Sequence, residues 1–181
     1  MAVGYGGALV GDLVESAPDL RVHAEVELYV DDPAIDARIT LQASYDLAAG
    51  RYVIDSVTAA RADGGEEVNG AMLRDLRLQE YVRDGLTALG AVELEGSGAF
   101  RLEDVVARRA DIVAAGPSDP DTLRWVARIY RAAEIVSARP AKAVQDALGL
   151  TQPTATVWIR RARDRRLIFP FGFTEWDRPN G

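Results

Sequence analysis

At 181 residues and 48% hydrophobic content, the chain is long enough for one domain or two small ones and too apolar for wholesale disorder. It contains no cysteine, which excludes disulfides, thiolate zinc sites and thiol nucleophiles, and its single histidine cannot build a histidine-based metal site. The net charge of -7 hides a split: residues 1–120 carry 10 basic and 22 acidic side chains, residues 121–170 carry 10 and 4, and local potential outweighs total charge because screening acts within about 8 Å.

Residues 1–17 are expected to form a flexible N-terminus. "GYGG" precedes no strand–helix phosphate loop and lacks its lysine, and the segment lacks the basic start of a signal peptide. No apolar run reaches the roughly 18–20 residues of a membrane span, so a cytoplasmic, nucleoid-associated chain is expected. In "LRVHAEVELYV" the apolar residues Val22, Ala24, Val26, Leu28 and Val30 alternate with polar ones, the period of a half-buried strand. "DDPAID" reads as a turn, and its acids fit no calcium loop. "ARITLQASYD" and "RYVIDSVTAAR", joined at Gly50, complete a three-stranded antiparallel meander over residues 20–62.

Asn69 is placed to cap a helix over residues 70–89. A second, shorter helix is expected in "RLEDVVARRADIVAAG", and "GPSDP" marks the domain boundary. Beyond it, Asp119 caps and Pro120 opens a helix through "DTLRWVARIYRAAEIVSA". Pro140 opens a short helix ending at Gly149, and Thr151 caps a third with Pro153 in its first turn. A tight turn with glycine at its start, between two helices, is the helix-turn-helix pattern. Ala155, Trp158, Ile159 and Ala162 fall at i, i+3, i+4 and i+7 and face inward. An independent core is expected from Val126, Tyr130, Val144, Leu148, Leu150, Trp158 and Ile159.

The outward set has major-groove chemistry. Gln152 can pair with adenine and Arg160 with guanine, while Pro153, Thr156 and Val157 complete the base-reading row. Phosphate contacts are expected from Thr151, Thr154, Arg161, Arg163, Arg165 and Arg166, from Lys142, and from Arg124, Arg128 and Arg131 on the first helix. Five arginines within residues 160–166 exceed what a helix dipole attracts.

"AKAVQDALGLTQPTATVWIRRARDRRLI" resembles the C-terminal helix-turn-helix of actinobacterial and actinophage DNA-binding proteins: an alanine-rich helix, "LG", a Ser/Thr cap and a run like "ARxRGLL". It is also similar to the helices of sigma-factor region four. The resemblance covers roughly residues 120–168 and implies DNA binding without an operator or a pathway. Gln145 departs from it, standing where alanine is usual. Twenty arginines against one lysine fit a high-GC bacterial or phage genome.

The fold expected is α+β: an N-terminal antiparallel β-meander with helices over 18–115 and a C-terminal tri-helical helix-turn-helix domain over 119–170. Residues 171–181 form an aromatic-rich tail, with Phe169, Phe171, Phe173 and Trp176 expected to fold back on the protein. The function expected is sequence-specific binding of double-stranded DNA by a transcriptional regulator of bacterial or phage origin, with no enzyme activity and no cofactor expected, since the sequence offers no nucleophile elbow, metal site or cofactor motif. A homodimer is expected, with the N-terminal domain supplying dimerisation, a partner surface or an effector site. The alternative is a phage or mobile-element assembly or DNA-packaging adaptor.

Overall fold

The computed structural model describes residues 2–169. Within them the chain is α+β, with one antiparallel sheet of six strands and seven helices. Strands β1 (Gly4–Ala17), β2 (Leu20–Asp31), β3 (Ala37–Asp46) and β4 (Arg51–Arg61) follow one another. The short strands β5 (Val92–Leu94) and β6 (Gly98–Ala99) come later. β2 is the centre of the sheet. β1 runs along one edge of it, and the other edge is divided between β3, at Glu25–Val30, and β5, at Leu20–Val22.

The meander expected over 20–62 is β2–β3–β4. The flexible start expected over 1–17 is corrected: residues 4–17 are β1, hydrogen-bonded along β2 with irregularities after Val10 and Glu15. Glycine hides this strand in the sequence and is needed in it. Gly7 has φ 150°, and a Cβ there would lie 2.0 Å from the Glu27 carbonyl oxygen.

The alternation of β2 and β3 buries Val22, Val26, Leu28, Val30, Ile39, Leu41 and Ala43 on one face. Helix α2 (Leu78–Leu89) lays Tyr81, Val82 and Leu86 into that core. The single helix expected over 70–89 is broken into α1 (Gly70–Asp75), capped by Asn69 as expected, and α2. The break follows from a tertiary anchor. Buried Asp32 accepts from the Tyr81 hydroxyl at 2.6 Å, the Arg77 guanidinium at 2.9 Å and the Ala34 amide at 2.9 Å. Fastening Arg77 and Tyr81 to the β2–β3 turn fixes where α2 begins.

Helices α3 (Leu102–Ala107) and α4 (Arg109–Ala115) bury Val105 and Ile112 in a second core with α5 (Pro120–Ile135), α6 (Pro140–Leu148) and α7 (Gln152–Asp164). Asp119 caps α5 by accepting from the Thr122 amide at 2.7 Å, and the Thr122 hydroxyl donates to the Ile112 carbonyl at 3.0 Å. The second core therefore takes in residues ahead of "GPSDP", where the domain boundary is expected. The first core in turn takes Ala132 and Ile135 from the end of α5. Phe100 packs on both cores. Among the described residues no helix is long and apolar enough to cross a membrane.

Candidate nucleic-acid interface

The site is built on α6, the turn Gly149–Thr151 and α7. Gly149 ends α6 at φ 62° and ψ 31°, a left-handed conformation that costs a side-chain-bearing residue roughly 1–2 kcal/mol. The Leu150 amide then closes on the Gln145 carbonyl at 2.9 Å. Thr151 caps α7: its Oγ1 accepts from the Thr154 amide at 3.4 Å and lies 2.8 Å from the Thr154 hydroxyl. Pro153 sits in the first turn, where its missing N–H costs nothing. Gln145 is half-buried beside this corner.

Ala155, Trp158, Ile159 and Ala162 are all buried and hold α7 against α5 and α6. Gln152, Pro153, Thr156, Val157, Arg160 and Arg161 are exposed on the opposite arc, and Val157 is 37% exposed. The Thr156 hydroxyl donates to the Gln152 carbonyl at 2.9 Å. Arg163, Asp164, Arg165 and Arg166 are exposed at the C-terminal end. Arg160, Arg161, Arg165 and Arg166 form no ion pair among the described residues, so their charge is uncompensated by a fixed partner. Asp164 is the one carboxylate in this run.

The other arginines differ. Arg163 donates to the Tyr130 hydroxyl at 2.7 Å and lies 5.2 Å from that ring, which fixes its direction while leaving it exposed. Arg124 is exposed and paired with Asp121, and Lys142 pairs with Asp146 at 2.6 Å. Such surface pairs are worth about 0–1 kcal/mol and yield readily to a stronger anion.

Two of the arginines expected to contact phosphate have partners within the chain. Arg131 is buried, pairs with Glu134 at 2.9 Å and donates to the Phe169 carbonyl at 2.8 Å. Burial holds the Glu134 carboxyl above the usual range, and Arg131 pulls it partly back. Arg128 is held by Asp19 at 2.9 Å and lies 5.0 Å from the Trp125 ring. Arg131 serves the packing of α5, and Arg128 is half-buried beside Trp125. Phe169 is half-buried; Phe171, Phe173 and Trp176 lie outside the described residues.

One cation was not visible in the sequence pattern. Arg109, the first residue of α4, lies against the turn: a Cβ on Gly149 would come 3.2 Å from its Nη1. It is exposed and forms no ion pair among the described residues. It adds a positive charge beside the start of α7, where the backbone amides of a helix N-terminus already favour anions.

Comparison with known protein families, with curated proteins and with solved structures finds no match to this chain.

Proposed function

We propose that the chain is a sequence-specific double-stranded DNA-binding protein, with α6 and α7 as a helix-turn-helix and α7 as the recognition helix, and that it acts as a transcriptional regulator. The observation that carries this reading is the division of α7. One face is buried, and the other presents Gln152, Thr156, Val157 and Arg160, with Arg161, Arg165 and Arg166 forming no ion pair among the described residues. Amide, hydroxyl, methyl and guanidinium groups in a row match the donors, acceptors and thymine methyl of a major-groove floor. Arg161, Arg165, Arg166 and Arg109 flank that row and suit phosphates. Thr151 and Thr154 already share a hydrogen bond, so their contribution to phosphate binding is through whichever hydroxyl proton remains free.

A single module of this kind buries only about 600–1,000 Å² on DNA. A homodimer reading two half-sites about 34–36 Å apart is the arrangement this implies. The polar, open face of the sheet around Glu25, Tyr29 and Gln42 belongs to the acidic half of the chain and would repel the duplex. The test is selection of bound sequences from a pool of randomised duplexes, followed by titration of the enriched sequence and of a scrambled one. A recurring motif, bound at least tenfold tighter than the scrambled duplex, supports the reading. Salt-sensitive binding with no enrichment would favour a non-specific packaging or assembly role instead.

A further inference from the structure

We propose that the cleft between α3, α5 and the β5–β6 hairpin binds a small planar aromatic carboxylate. The inference goes beyond the DNA reading and does not depend on it. The cleft has a volume of about 570 Å³ and is open to solvent, within the range of about 300–1,000 Å³ typical of small-molecule sites. Its apolar wall is Phe100 and half-buried Trp125. Aromatic walls of this kind favour a flat, apolar body that stacks or packs edge-on.

The charge of the lining selects the head group. Three arginines and three carboxylates line the cleft: Arg101, Arg108 and Arg128, with Asp19, Glu95 and Asp104. Asp19 is held by Arg128 at 2.9 Å, and Glu95 is held by Arg21 at 2.5 Å. Arg101 and Arg108 then stand against Asp104 alone, and neither arginine forms an ion pair among the described residues. Counted with Arg21 beside it, the cleft has four arginines against three carboxylates, one positive charge in excess, which suits a monoanion better than a dianion. Arg108 is exposed, and its guanidinium lies 5.9 Å from the Trp125 ring. It can present a planar fork to a carboxylate while the body of the ligand rests on the rings.

The experiment is isothermal titration of the full chain, without DNA, with 1-naphthoate and with its neutral amide, 1-naphthamide. The result expected is one site for naphthoate, with the amide about tenfold weaker or worse, the loss of one charge-assisted contact. Arg108→Gln should weaken naphthoate about tenfold and leave the amide unchanged. Trp125→Leu should weaken both probes. Arg74→Gln, an exposed arginine on α1 away from the cleft, should change neither. Circular dichroism of each variant confirms that it folds. The proposal is overturned if naphthoate fails to bind the wild-type chain at millimolar concentration, if acid and amide bind equally, or if Arg74→Gln weakens naphthoate as much as Arg108→Gln does.

Discussion

Replacing Gly149 with alanine tests how the turn ahead of α7 is made. The residue sits at φ 62° and ψ 31°, where an L side chain costs roughly 1–2 kcal/mol. Alanine restricts the unfolded chain and returns about 0.4–1 kcal/mol of that. The new Cβ would lie 3.2 Å from Arg109 Nη1, tight by a few tenths of an ångström, and 3.4 Å from its Cδ, an ordinary contact. The tight contact is with the far end of a flexible, exposed side chain, which can move aside. The net loss expected is about 1 kcal/mol, nearly all of it backbone. Gly149→Val should lose more, because a β-branched residue is poorer still at positive φ. Urea unfolding of Gly149→Ala, Arg109→Ala and the double variant measures the terms separately. In the Arg109→Ala background the loss should persist almost whole. Abolition of the loss in that background would mean that the clash, and not the left-handed backbone, requires glycine.

Other expectations follow from the two cores and the exposed arc. Asp32→Ala should cost about 1–3 kcal/mol at neutral pH by leaving the buried Tyr81 hydroxyl without its acceptor, while the exposed Arg77 keeps Glu80. The Tyr81 hydrogen bond, helped by Ala34 and Arg77 and opposed by burial, holds the Asp32 carboxyl below its usual range. Its contribution is therefore complete above the unfolded carboxyl pKa and lost as pH falls through the lower folded one, so wild type and variant should converge in acid unfolding. A fragment beginning at Asp119 should melt below one beginning at Arg101, because only the longer one keeps Val105 and Ile112; equal melting temperatures by calorimetry would contradict the shared core. Gln152→Ala, Thr156→Ala and Arg160→Ala should each cost about 1–3 kcal/mol on the selected duplex and much less on random DNA; equal losses in an anisotropy titration would make them phosphate contacts.

Periodicity made β2 and β3 legible, since each buries one face and alternates accordingly; β4 buries only Tyr52 fully and was legible from its β-branched residues and the turn at Gly50. The inward set of α7 was legible for the same reason, with four buried residues at helical spacing. β1 was hidden because its glycines, required by close approach to β2 at Gly7, weaken the strand pattern. The break between α1 and α2 was hidden because Asp32, more than forty residues earlier in the chain, sets it. The same distance effect explains the arginines. Nothing near Arg128 announces Asp19, and nothing near Gly149 announces Arg109. Arg131 had a local sign, Glu134 three residues on, but its burial depends on how α5 packs. The boundary at "GPSDP" is a real turn in the chain, yet Thr122 ties α5 back to α4 across it.

The proposed function has the outward face of α7 grip duplex DNA. The most direct measurement is the salt dependence of duplex binding by the wild-type chain and by a variant with Arg160, Arg161, Arg165 and Arg166 all changed to alanine. All four are exposed, so the variant should keep its fold. The logarithm of affinity should fall with the logarithm of salt concentration, and the variant's slope should be shallower by about 0.9 for each phosphate contact removed. An unchanged slope and affinity in the folded variant would show that this face does not carry DNA binding.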